Sequence, residues 1–247
     1  FLKKLLETDG YLSGQDLCEQ LGVSRTAVWK YMKQLKEEGY EIEAVQNKGY
    51  CLKDVPDVLG ESEIKSRLHT RWAGQTLYYY DEIDSTNTQI KRLAEEDAPH
   101  GTLAVADYQS KGKGRRGHAW DSPHGSAIYM SILFRPDIRP DRASMLTLVI
   151  GLSVAQAIRS NLGVQAQIKW PNDIVLNGKK LVGILTEMSA QMNYIEYLVT
   201  GIGINANLRE FPEELADKAT SLQKEIGHKV NRSALIAECM KKTRRKL

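Results

Sequence analysis

The sequence predicts an α+β fold in two parts: a small helical segment closed by a hairpin, then a larger domain built on a mixed or antiparallel sheet. Three observations carry this. A chain of 247 residues, 42% hydrophobic and 26% charged, has room for one or two globular domains. Apolar residues at helical spacing, punctuated by serine and glycine, dominate up to Gly39. From Thr76 onward several strand-like runs follow one another with no helix between them, which argues against a strict strand–helix alternation and for helices on one side of a sheet.

Phe1–Leu6 reads as a short apolar helix, and Ser13 three positions before Asp16 has capping-box spacing for a helix running to Leu21. Gly22 ends that helix and Ser24 caps the next, whose apolar stripe is Val28, Tyr31, Met32 and Leu35, with Gly39 as its stop. Tyr40–Val45, the turn Asn47-Lys48-Gly49 and Tyr50-Cys51-Leu52 form a hairpin. Two helices joined by Leu21-Gly22-Val23-Ser24 and followed by this wing make residues 1–55 a winged helix-turn-helix, with 56–61 as linker. The second helix exposes Arg25, Trp29 and Lys33 at four-residue spacing with Thr26 and Lys30 alongside; Arg25 and Thr26 suit base edges, the lysines suit phosphates, and Lys48 sits on the wing. Residues 1–53 carry eight basic and eight acidic side chains, so the electrostatic footprint is weak, and Trp29 could equally pack on the wing.

In residues 62–247 the pattern gives strands at Thr76–Tyr80, Leu103–Tyr108, Ala127–Phe134, Gln165–Trp170, Leu181–Met188 and Tyr194–Ile202. Helices are expected over Asn87–Ala94, Arg142–Asn161, near Pro212–Asp217 and over Arg232–Lys242. The longest apolar runs are too short and too interrupted for a membrane span, so no membrane partner is expected. Three scattered cysteines, no metal-spaced histidine pair and no leader-like opening point to a reducing cytoplasm. The net charge of +3 rests on Lys241, Lys242, Arg244, Arg245 and Lys246 near the end, so general basicity does not argue for nucleic acid.

Gly112-Lys113-Gly114-Arg115-Arg116-Gly117-His118-Ala119-Trp120 matches G-x-G-x-x-G literally, yet Pro123 and Gly125 forbid the helix a dinucleotide fold needs there. A P-loop would need Lys-Ser or Lys-Thr after the last glycine. What remains is a glycine loop with three cations able to wrap an anion, or an ordinary basic loop. Lys169-Trp170-Pro171-Asn172-Asp173 places a lysine, an amide and a carboxylate at a strand end. Lys179-Lys180 precedes Gly183, Gly201 and Gly203 permit close approach of a flat ligand, and Asp84-Ser85-Thr86-Asn87 opens a helix with small polar groups.

Taken together and in this order, these motifs resemble the biotin protein ligases. With the winged helix-turn-helix in front, the chain resembles the bacterial biotin–[acetyl-CoA-carboxylase] ligases that also repress the biotin operon. The resemblance implies a catalytic domain of the biotin/lipoate ligase type that makes biotinyl-5′-AMP from biotin and ATP with magnesium. It implies transfer of biotin to a lysine of the biotin carboxyl carrier domain, binding to operator DNA, and a homodimer when the adenylate is bound. Biotin would lie among Ser85, Thr86, Asn87, Gln109, Lys113, Gly114, Arg115, Lys180, Gly183, Gly201 and Gly203. The nucleotide would meet Arg115, Arg116, His118, Trp120, Asn172 and Asn205, and catalysis would rest on Arg115, Lys169, Asp173 and Lys180, with Asp173 also a weak magnesium ligand.

Two features depart from the pattern. Lys113 and His118 stand where the family often has arginine, and the small β-barrel that usually follows the catalytic domain is absent before Leu247. The chain also begins at Phe1 rather than methionine, which suggests missing residues. Alternatives are a ligand-sensing repressor without turnover and a lipoate-type acyl ligase. The latter would lack the combined G-K-G-R-R-G and K-W-P-N-D motifs.

Overall fold

The computed structural model describes residues 1–243; the basic positions Arg244, Arg245 and Lys246 of the sequence reading lie outside the described residues. The chain divides into two compact units, one of residues Phe1–Val58 and one starting at Leu59.

In the first unit helices α1 (Leu2–Glu7), α2 (Gly14–Leu21) and α3 (Arg25–Glu37) precede strands β1 (Glu41–Val45) and β2 (Gly49–Asp54). The Ser13 side chain accepts from the backbone N–H of Gln15 and Asp16, Gly22 ends α2 in the left-handed region, and Ser24 accepts from Ala27 N–H. Val28, Met32 and Leu35 pack with Leu17, Leu5 and Ile42, while Tyr31 is half-buried and stacks on Phe1 at 4.4 Å. β1 and β2 pair antiparallel. Gly49 has φ +108°, and a Cβ there would overlap the Leu12 carbonyl, because Leu12 and Tyr50 exchange backbone hydrogen bonds at 2.8 and 2.9 Å. Glycine at this position therefore joins the wing to the start of α2.

The second unit centres on a seven-stranded sheet of β3 (Leu77–Ile83), β4 (Leu103–Gln109), β5 (Ile128–Phe134), β6 (Gln167–Lys169), β7 (Asp173–Leu176), β8 (Lys179–Ala190) and β9 (Ile195–Ile204). Their order is β3-β4-β5-β9-β8-β7-β6, with only β3 and β4 parallel. One face is covered by α4 (Glu61–Arg67), α6 (Ala143–Leu162) and α8 (Arg232–Lys242). The other receives α5 (Thr86–Glu95), whose Ile90, Leu93 and Ala94 meet Ala104, Leu133 and Val199. Helices thus lie on both faces rather than one, because residues adjacent along each strand point to opposite sides. α6 is long and apolar enough to cross a bilayer, but Ile150, Val154 and Ile158 are fully buried under it. Cutting either isoleucine to alanine would cost roughly 2–5 kcal/mol.

Three local expectations are corrected. α4 begins at Glu61, where the sequence suggested only linker, and is held by an Arg67–Glu63 ion pair. β7 follows Pro171 so closely that the motif reads as a turn, and Trp170-Pro171 is a cis peptide. Near residues 212–217 there is only a single 3-10 turn, Glu213–Leu215, and the helix lies later, at α7 (Leu222–Ile226), capped by Ser221.

Candidate active site

One pocket opens where the start of α5, the loop after β4, the first half of β8 and the end of β9 converge. Its polar end is a network of small side chains. Gln109 Oε1 accepts from Thr86 N–H at 2.8 Å and from Thr86 Oγ1 at 3.1 Å, taking the place of a cap that Ser85 does not supply. Gln109 Nε2 donates to Ser122 Oγ at 3.1 Å. Ser131 Oγ lies 2.7 Å from Thr86 Oγ1 and 2.6 Å from Asn87 Oδ1. Thr86, Asn87 and Ser131 are all buried, so each bond is made where water cannot replace it.

The opposite end is cationic. The loop after β4 folds back on itself: Gly114 N–H donates to His118 O at 2.7 Å and Trp120 N–H to Gly112 O at 3.0 Å. Arg116 occupies the left-handed region at the 3-10 turn Arg115–Gly117. Arg115 Nη1 donates to Asn172 Oδ1 at 2.9 Å, tying this loop to the segment before β7. Asn172 is itself locked, because its Nδ2 donates to Ile184 O and its carbonyl accepts from Ile184 N–H. Lys180 Nζ lies 2.8 Å from Asp173 Oδ1 and 5.4 Å from the centre of the Trp120 ring. Lys113, Gly114, Arg115 and Lys180 all line the pocket.

Between the two ends, Gly183 pairs with Gly203 across β8 and β9. A Cβ on either would overlap the Trp120 indole, so the flat group admitted by these glycines is Trp120 itself. Its Nε1 is buried without a hydrogen-bond partner among the described residues, a donor that a ligand oxygen would satisfy.

Of the residues expected from sequence, Ser85, Thr86, Asn87, Gln109, Lys113, Gly114, Arg115, Trp120, Asn172, Lys180, Gly183, Gly201 and Gly203 come together in the lining. Others do not. Lys169 is exposed on the edge strand β6. Asn205 is buried with its amide given to Thr220 O at 3.1 Å. Arg116 and His118 line a depression on the outer side of the loop instead. Sequence reasoning missed Ser131, Ser122, Lys91 and Glu187. Ser131 alone had a visible signal, a hydroxyl in the middle of the otherwise apolar β5.

Among the described residues no carboxylate lines the pocket, and Asp173 is engaged by Lys180, so these residues do not fit a dedicated magnesium site. Asp81, Asp107 and His124 bring ligand-type atoms within 4.8 Å elsewhere, but Asp107 is spent on Arg232 at 2.6 Å and on Gly125 N–H.

In the first unit Arg25, Thr26, Trp29, Lys30, Lys33 and Lys48 are all exposed. Trp29 is 57% exposed with Lys33 Nζ 5.9 Å from its ring, so it does not pack on the wing. Arg25, the turn Gln46-Asn47-Lys48 and Gln15 border one open concavity.

Comparison with known proteins agrees with both units. Residues 79–205 match the biotin/lipoate A/B protein ligase family and residues 1–51 an HTH domain. The bifunctional ligase/repressor BirA of Bacillus spizizenii is 48% identical over 92% of this chain and 70% of its own length. That of Escherichia coli is 33% identical over 97% of this chain and 73% of its own. The structure of the biotin protein ligase from Aquifex aeolicus in complex with biotin and ATP superposes with a TM-score of 0.59 at 37% identity, covering 68% of each chain. The chain belongs to the biotin/lipoate A/B protein ligase family, with a helix-turn-helix domain ahead of its ligase domain.

Proposed function

We propose that this protein is an ATP-dependent biotin protein ligase that forms biotinyl-5′-AMP and passes biotin to a lysine of the carrier domain of acetyl-CoA carboxylase, and that its first unit represses the biotin operon by binding operator DNA. The observation that carries the ligase half is one pocket with a neutral hydrogen-bonding end (Thr86, Asn87, Gln109) and a cationic end (Arg115, Lys180), while Lys113 Nζ donates to Thr88 Oγ1 at 3.1 Å on α5. Such a pocket matches a ligand with a ureido head and a carboxylate tail.

In the first step a carboxylate oxygen of biotin attacks the α-phosphorus of ATP, and the bond to pyrophosphate breaks. The nucleophile is already anionic, so no base is needed. The barrier is the meeting of negative charges, which Arg115 and Lys180 offset from fixed positions. Magnesium enters bound to the triphosphate, as part of the substrate. In the second step the acceptor amine attacks the acyl carbon, AMP leaves with the bonding pair, and the amine loses a proton. Asp173, which anchors Lys180 from 2.8 Å away, is the carboxylate we assign to orient or take that proton. The Trp120 indole over the glycine pair keeps water from the mixed anhydride.

Incubation with biotin, Mg-ATP and a carrier domain, read by intact mass, should add one biotinyl group to the carrier. No gain with active carrier would sink the ligase half. For the repressor half, adenylate-bound dimers would address two half-sites of a symmetric operator, so biotinyl-AMP should tighten operator binding by about 1–3 kcal/mol. Identical isotherms with and without the adenylate would remove it.

A further inference from the structure

Glu187 belongs to none of the motifs and does not line the pocket, yet it holds Asn87, which does. Its Oε2 accepts from Asn87 Nδ2 at 2.8 Å, while its Oε1 accepts from Lys91 Nζ at 2.6 Å on the outer side of α5. Asn87 is 4% exposed, lines the pocket, and sets its Oδ1 against Gly201, where a Cβ would overlap it. An asparagine amide can sit either way round, and which end faces the ligand decides whether the pocket offers an acceptor or a donor.

The neighbours of Asn87 differ in how strongly they choose. The Ser131 hydroxyl can donate to Oδ1 or accept from Nδ2, so it permits both orientations. Leu185 O accepts only, but at 3.4 Å it is at the long limit of a hydrogen bond. A carboxylate accepts only, at short range and with charge, so Glu187 admits Nδ2 alone. Lys91 in turn donates only and holds the second carboxylate oxygen.

We infer that Glu187 is a positioning residue that locks the Asn87 amide so that Oδ1 serves as the acceptor for a ligand N–H, with Lys91 holding Glu187 in place. The inference rests on the proposed biotin reading and sharpens it: the recognised group is the N–H of a cyclic urea. Gln109 complements it, because its Oε1 is taken by Thr86 and one Nε2 hydrogen by Ser122, which leaves the second Nε2 hydrogen for the urea carbonyl. Contacts of Glu187 with both Asn87 and Lys91 hold its carboxyl below the usual range against the opposing effect of burial, so it stays an acceptor at neutral pH.

The test exploits the fact that lysine only donates. In Glu187→Gln, Lys91 captures the new amide oxygen and turns its NH2 toward Asn87, which then favours the flipped amide. The Kd for biotin should rise about tenfold or more, with the KM for ATP unchanged, since a misoriented buried amide loses a hydrogen bond and opposes the ligand. Lys91→Met/Glu187→Gln frees the glutamine to turn its oxygen to Asn87, so affinity should return to within about threefold of the wild type. Glu187→Met, with no acceptor, should weaken biotin several-fold even if Glu187→Gln fails to fold. Melting temperatures are read alongside. Unchanged biotin affinity in folded Glu187→Gln, or a folded double variant no tighter than the single one, overturns the inference. A wild-type protein that binds no biotin overturns the ligase reading along with it; a wild type that binds while Glu187→Gln binds equally overturns the positioning role alone.

Discussion

A carboxylate that orients an amide occurs in both units, and only its surroundings differ. On α2 the Glu19 carboxylate accepts from Gln15 Nε2 at 2.8 Å, and Gln15 Oε1 accepts from Arg25 Nη2 at 2.8 Å, all three residues being exposed. In the second unit Glu187 does the same to Asn87, but there the amide is buried and its far side is pocket. Water can replace any bond in the first relay, whereas Asn87 itself is 4% exposed. The same chemistry therefore tunes a contact in one unit and defines a binding site in the other. The candidate DNA-facing residues sit on a solvated surface, Arg25 in a short exposed relay, whereas the pocket residues form a buried connected set.

The largest effect should come from the cationic end of the pocket. Lys180→Ala removes a cation placed beside Asp173 and leaves that carboxylate without its partner. Adenylate formation should slow by about 2–4 kcal/mol of barrier, the scale of one lost transition-state donor. Single-turnover release of pyrophosphate measures it. A mutant that forms adenylate at the normal rate would show that the cations are as dispensable here as on the surface of the first unit.

What was legible in the sequence follows the same division. The caps Ser13 and Ser24, the glycine stops and the wing turn were legible because each is fixed by residues within a few positions of it. The glycine loop and the segment before β7 were legible as charged, glycine-bearing strand ends. Glu187 was not, since its partner Asn87 lies 100 positions earlier and the two meet only when α5 packs on β8 and β9. Nor was the role of Trp120, because the Gly183–Gly203 pair beneath it exists only in the register of two strands. Asn205 misled in the opposite direction: a polar residue at a strand end reads as a ligand contact, but the chain folds its amide onto Thr220. α4 and β7 were lost to proline and glycine beside them, Pro56 and Gly60 for one and Pro171 for the other.

Non-additivity gives the next test. Asn87 and Ser131 share a 2.6 Å bond, so Asn87→Ala and Ser131→Ala should show a coupling of about 1 kcal/mol in biotin affinity. Lys33 and Lys48 share no partner: one lies by Glu37 and Trp29, the other by Tyr11. Their alanine substitutions should add within about 0.5 kcal/mol in operator affinity. Additive pocket variants would dissolve the contrast between the units.

Salt separates the units further. Lys33→Ala should lower the slope of log K against log salt by about one, uniformly across DNA sequences, as expected for a lost phosphate contact. Biotin affinity of the same variant should not change. An unchanged salt slope would take Lys33 off the DNA-facing surface.

The smallest effect belongs to Gln15, and it decides whether the exposed relay does anything. Arg25 at the start of α3 has several N–H donors, of which one is held by Gln15. Holding that one restricts the guanidinium and leaves its remaining donors directed, which matters for a bidentate contact to a guanine edge and little for a phosphate. Gln15→Ala should therefore weaken operator binding by about 0.5–1 kcal/mol, with binding to unrelated DNA and the salt slope unchanged, because an exposed hydrogen bond is worth no more. Gln15→Glu sharpens the point. It keeps an acceptor for Arg25 but places a second carboxylate beside Glu19, so some operator preference should persist while affinity for all DNA falls. Equal loss on operator and unrelated DNA in Gln15→Ala would mean that Arg25 meets only phosphate, and that the orienting device matters only where it is buried.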